Sequence, residues 1–203
     1  MKSDLRQIVI ATSNAHKLRE ILDILTGLPV QILSLQDFPE ISPVEETGKS
    51  FHENALLKAL TVYQKAALLT LADDSGLEVD ALEGAPGIYS ARFAGKERDY
   101  QANNHKLLEE LQTVPDAQRG AQFRCVVSLV GPSIEKFSEG IVRGHIIREL
   151  RGEGGFGYDP LFVPEGFSET YAELGQEIKN KISHRAIAFQ NARILLEEIL
   201  KLK

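Results

Sequence analysis

The sequence predicts an α/β fold, and three observations lead to it. Short apolar runs such as residues 7–11 (QIVIA) and 30–33 read as buried strands. Between them, apolar residues recur at helical spacing: Leu18, Ile21, Leu22 and Leu25, then Phe51, Ala55, Leu56, Ala59, Leu60 and Tyr63. With 43% hydrophobic and 26% charged residues, the 203-residue chain can bury a sizeable core, so residues 1–203 are read as one domain.

Residues 1–6 are polar and lead straight into the first strand, 7–11. A helix follows over 17–25, ended by Gly27 and Pro29, and a second strand covers 30–33. The acidic, proline-containing stretch 37–48 is a loop, and a long amphipathic helix runs over 50–69. Leu71 and Ala72 lead into Asp73-Asp74-Ser75-Gly76, read as a strand end followed by a tight turn. Residues 84–95 form a loop punctuated by Gly and Pro, and 100–111 a helix. Residues 123–130 and 136–146 read as an antiparallel hairpin joined at Gly131-Pro132. A glycine-rich loop (152–157), a short strand (161–163) and a last helix (184–202) complete the chain.

Lys plus Arg number 23 and Asp plus Glu 29, a net charge of -6. That balance argues against a nucleic-acid binder, whose affinity is built from clustered cations. A single small polyanion can still bind where basic groups converge or a cation intervenes. Cys125 is the only cysteine, so no intramolecular disulfide forms; its apolar neighbours, 123–127, make it a buried core thiol. No apolar stretch approaches the roughly 18 residues of a membrane span and no secretory leader is evident, so a cytoplasmic protein is expected.

Five segments carry candidate chemistry. Thr12, Ser13, Asn14, Ala15, His16 and Lys17 lie between a strand and a helix, where unpaired N–H groups and the helix dipole suit a phosphate. The same residues also suit a plain N-cap. In Asp73-Asp74-Ser75-Gly76 the two carboxylates project to opposite faces of a strand, so one can face a site while the other caps a turn. The loop Glu45-Glu46-Thr47-Gly48 could join Asp74 in holding Mg2+, which takes one or two carboxylates plus substrate phosphates; Glu53 and Asn54 could add further contacts. Residues 152–160 match G-x-G-x-x-G without a helix or βαβ unit to complete the dinucleotide motif. They suit instead a loop that lets Phe156 or Tyr158 stack on a base. Finally, 179–185 (KNKISHR) places cations before the last helix with Ser183 as its N-cap; cations there oppose the helix dipole and hint at a ligand.

Taken in order, ATSNAHK, EETGKSFHENALLKA, ADDSGLEVDALEGAPGIYSARFAG, GGFGYDPLF and KNKISHR resemble the inosine triphosphate pyrophosphatase family over nearly the whole chain. The resemblance implies a mixed central sheet with flanking helices, two lobes around a deep active-site cleft, usually in a homodimer, and hydrolysis of dITP, ITP, XTP and dXTP to the monophosphate and pyrophosphate. It implies phosphate binding by Thr12, Asn14 and Lys17, with Ser13 standing where many relatives have Gly. It implies metal ligation by Asp74 and Glu45, with the choice between Glu45 and Glu46 open, Asp74 as proton acceptor and Ser75 on substrate. It further implies a nucleoside pocket from Phe156, Gly157, Tyr158, Asp159, Lys179, His184 and Arg185. Donors aimed at a 6-keto oxygen would then select the base, with His184 and Arg185 as candidates and Asp159 reading N1–H. Arg92 is left between substrate and subunit contact. A related pyrophosphatase group acting on pyrimidine nucleotides lacks the GGFGYDP and ISHR pair.

Overall fold

The computed structural model describes residues 6–201. In chain order its elements are β1 (Arg6–Ile10), α1 (Ala15–Ile24), β2 (Val30–Ser34), α2 (Phe51–Ala66), β3 (Leu69–Val79) and α3 (Tyr100–Glu110). After these come β4 (Gly120–Gly131), β5 (Ile134–Ile146), β6 (Phe162–Pro164), α4 (Tyr171–Ile182) and α5 (His184–Ile199). The strands form one mixed six-stranded sheet in the order β2-β1-β3-β4-β5-β6. β1 runs parallel to β2 and β3, with Ile8 beside Ile32 and Leu69, whereas β5 and β6 are antiparallel, with His145 beside Val163.

The chain packs as two compact units. The first takes the described residues up to Asp74, Cys125–Gly140, and Arg185 onward; the second takes Ser75–Arg124 and Ile141–His184. In the first unit the sheet is covered on both faces, which is why β1 is an unbroken apolar run rather than an alternating one. Ile8, Ile10 and Leu71 pack with Ile21 of α1, with Leu25 that caps its end, and with Ala188, Phe189, Ala192 and Leu196 of α5. Val9 and Ala72 point the other way, toward Ala59 and Val62 of α2. The second unit has its own core, built on Leu77, Val79, Leu107, Leu111, Phe123, Phe162 and Tyr171.

Four expectations are corrected. Residues 73–76 do not turn: β3 continues to Val79, and what ends near them is the ladder to β1, whose last β3 partner is Leu71. The helix over 50–69 stops at Ala66, because Ala67 adopts a left-handed conformation (φ 53°) that releases the chain into β3. The segment 179–185 is not a basic approach to one helix. Lys179 and Lys181 close the last turn of α4, where cations complement the dipole, and an extended Ser183 separates α4 from α5. The sequence reading missed α4 because Gly175 (φ 76°) breaks its regular backbone. Cys125 is fully buried in the first core, as expected. The last helix, expected to reach residue 202, stops at Ile199, with Leu200 and Lys201 in a turn; the polar lead at 1–5 lies outside the described residues.

Candidate functional site

In the first unit the loop after β1 is held by its own side chains. Thr12 Oγ1 accepts from Asn14 N at 3.2 Å, and Asn14 Oδ1 accepts from His16 N at 3.0 Å and Lys17 N at 3.4 Å. Asn14 therefore acts as the N-cap of α1, and the structural reading of this motif is realised. Ser13, Ala15 and His16 remain exposed around it. Lys17, in the first turn, sends its Nζ to Asp73 Oδ2 at 2.9 Å.

Asp73 and Asp74 leave β3 on opposite sides, as strand alternation requires, and meet different partners. Asp73 is on the α1 and α5 side. Besides Lys17 it has Arg185 Nε at 3.6 Å and Cys125 Sγ at 3.9 Å. Arg185 is itself buried and donates to the buried carboxylate of Glu20 at 2.6 Å. Burial alone would raise the Asp73 pKa, but Lys17, Arg185 and Lys58 outweigh it and hold the carboxyl far below its usual range. Asp74 is on the α2 side. Asn54 Nδ2 donates to its Oδ2 at 3.0 Å, and Lys58 Nζ lies 3.6 Å from its Oδ1 and 2.5 Å from Glu46 Oε1. Here burial, aided by the nearby Glu46 charge, prevails over Lys58 and raises the Asp74 pKa. Two neighbours in sequence are thus pushed in opposite directions.

Glu46 is half-buried beside Lys58, whereas Glu45 is exposed. Among the described residues no three His, Cys, Asp or Glu side chains gather as a metal centre. The donor set on the α2 side nevertheless suits a hard cation: the buried Asp74 carboxylate and the half-buried Glu46 carboxylate, whose charge raises the Asp74 pKa, already draw in one ammonium group.

The second unit holds the remaining predicted residues. Lys179 and Asp159 form a buried pair at 2.5 Å, and the same carboxylate oxygen accepts Phe156 N at 2.7 Å. Lys179 Nζ lies 4.6 Å above the Phe156 ring, which also meets Tyr100 at 5.9 Å. Tyr158 is in the core, its hydroxyl donating to Ser90 O at 3.0 Å, so Phe156 is the more accessible of the two aromatics. Gly157 O accepts from Asn104 Nδ2 at 2.9 Å. His184 stacks on Phe123 with centroids 4.6 Å apart and planes 8° from parallel. Ser75 follows Asp74 along β3, partly accessible.

Phe156, Gly157, Tyr158, Asp159 and Lys179 are thus brought together, while Arg185 joins Asp73 and Glu20 in the first unit. The sequence reading missed Lys58 and Glu20 and gave Asp73 only a turn. Lys58 was open to detection, because it lies one helical turn after Asn54 and both reach Asp74 from one face of α2. Glu20 carries no comparable local signal.

The chain matches the family model described as "Ham1 family" over residues 8–194. A dITP/XTP pyrophosphatase of Desulforamulus reducens is 48% identical over 194 residues, 95% of this chain and 96% of that protein. One from Geobacter sulfurreducens is 51% identical over 183 residues, 90% and 92% of the two chains. Among solved structures, the Ham1 protein of Staphylococcus aureus matches with a TM-score of 0.86 at 40% identity, covering 96% of this chain and 100% of that one.

Proposed function

Because the chain belongs to the Ham1 family, we propose that it hydrolyses purine nucleoside triphosphates with a 6-keto base, dITP, ITP and XTP, to the monophosphate and pyrophosphate. The observation that carries this reading is the match to dITP/XTP pyrophosphatases over nearly the whole chain, joined to a strand that sets Asp73 against Lys17 and Arg185 and Asp74 against Asn54 and Lys58. Such a site needs a cation held in place for the phosphates and a carboxylate basic enough to take a proton, and pKa values pushed apart assign these two roles. Asp73 stays anionic and holds Lys17; Asp74, whose raised pKa makes its carboxylate the stronger base, is the proton acceptor for water attacking the α-phosphorus.

Lys17 and the loop capped by Asn14 bind the phosphates, the positive end of the α1 dipole adding to the Lys17 charge. Lys58, beside Asp74, adds a second cation where charge develops. Mg2+ held by Asp74 and the Glu45-Glu46 loop would, when bound, polarise the phosphates and offset their charge, which suits a chain whose own net charge is -6. The second unit supplies base recognition through Phe156 and the Lys179–Asp159 pair. The family resemblance extends the reading to a cytoplasmic homodimer; a solution mass equal to one chain would remove the dimer.

The test is pyrophosphate release from a panel of dITP, XTP, dGTP, dATP, dTTP and UTP, with Mg2+ and with chelator. Turnover of dITP and XTP, with dGTP spared despite its 6-keto group, and loss of all turnover in chelator are expected. Asp74→Asn should lower kcat by about 10²–10⁴-fold, the range of a positioned general base, in a folded protein. Best turnover on dTTP or UTP would overturn the substrate class.

A further inference from the structure

We infer that Asn54 is a positioning residue, whose carboxamide locks the Asp74 carboxylate to the acidic loop 45–48; this rests on the pyrophosphatase reading above. Asn54 is 0% exposed in the first turn of α2, and both ends of its side chain are engaged. Oδ1 accepts from Gly48 N at 2.8 Å, and Nδ2 donates to Asp74 Oδ2 at 3.0 Å. A primary amide has one accepting and one donating end. A backbone N–H can only be met by the oxygen, so the nitrogen must face Asp74. The amide thereby occupies Asp74 Oδ2, while Oδ1 lies on the side of Lys58, 3.6 Å from its Nζ.

Two further features keep the amide in place. A Cβ at Gly48 would lie 2.6 Å from Asn54 Oδ1 and 2.9 Å from Asn54 N, so the loop approaches this closely only because residue 48 has no side chain. The start of α2 is also pinned, with Ser50 Oγ accepting from Glu53 N at 3.2 Å and Glu53 Oε2 accepting from Lys49 N at 2.8 Å. The one carboxamide thus links the loop, the helix and the proton acceptor, and a misplacement of about 1 Å at such a point costs on the order of 10²-fold in rate.

The experiment is a double-mutant cycle on dITP hydrolysis, joined to the side-chain 1H–15N signal of Asn54. Asn54→Leu should lower kcat about 10²-fold with KM nearly unchanged. In the Asp74→Asn background it should cost less than about 2-fold more, because both changes act through one group. Gly48→Ala, which displaces the amide without removing it, should repeat this pattern and serves if Asn54→Leu fails to fold. Independently of activity, the Asn54 amide protons should exchange slowly in the wild type and shift in Asp74→Ala. Undiminished loss in the Asp74→Asn background, or amide protons exchanging as fast as an exposed asparagine, would overturn the assignment. A wild-type protein releasing no pyrophosphate from dITP would instead remove the pyrophosphatase reading and leave the amide measurement standing.

Discussion

Asp73 and Asp74 share a strand and a residue type, and differ in what the opposite faces of β3 bring to them. For Asp73 the folded pKa lies below its ordinary 3.8. Its contribution to stability is therefore complete above that value and is lost as pH falls through the folded pKa. For Asp74 the displacement is upward, so its carboxylate is disfavoured by folding and the metal-free protein gains stability as pH falls through the raised pKa. Thermal melts in chelator at pH 7 should accordingly show Asp74→Asn melting above the wild type and Asp73→Asn below it. The reverse order would contradict the assignment of the two carboxylates. Glu20 belongs to the same network. Glu20→Gln strips the buried Arg185 of its 2.6 Å partner and should cost about 3–5 kcal/mol in a urea titration, the range for breaking a buried pair from one side.

Element by element, the ends carry the function. The first turn of α1 is organised by Asn14, and Asn14→Ala should cost about 1 kcal/mol of stability while raising KM for the triphosphate, since the cap and the phosphate loop are the same residues. The glycine loop before β6 depends on Gly155, which has φ 74° and sits where a Cβ would run into the Asp159 carboxylate. Gly155→Ala should therefore disturb the Lys179–Asp159 pair, read as weaker discrimination between dITP and dATP with pyrophosphate release itself retained. α4 shows how one residue divides an element: Gly175 interrupts it between Tyr171 in the core and Lys179 over the Phe156 ring.

At the level of the whole molecule, a chain of net charge -6 that acts on a polyanion concentrates its cations where they are needed. In the first unit Lys17, Lys58 and Arg185 all stand within 4 Å of a carboxylate, which balances their charge and holds them in place before any substrate arrives. A divalent ion binding the folded state alone would stabilise it by about 2.7 kcal/mol at 100 times its Kd. Titrating Mg2+ into the wild type should raise its melting temperature, and the same titration into Asp74→Asn should raise it far less. Equal shifts in both would detach Asp74 from the metal. Among the described residues no helix is long and apolar enough to cross a membrane.

Local pattern was enough to read much of this protein. Apolar runs and helical spacing located β1, β2, α1, α2 and α3, because those elements bury faces whose period is written in consecutive residues. Motif order over nearly the whole chain pointed to the family, and alternation along a strand separated Asp73 from Asp74. Other features lie beyond any local window. β3 runs on through Asp73-Asp74-Ser75-Gly76 past its last partner on β1, with β4 as its other neighbour in the sheet, against the turn preference of those residues. Arg185 reads as a neighbour of His184 in sequence, yet its charge is met by Glu20 and Asp73 from distant parts of the chain. Residue identity determined which groups can bear charge or donate a proton. Only the tertiary structure decided which carboxylate is clamped by cations and which is left poised, because pKa depends on burial and on charges within a few ångströms, whatever their separation along the chain.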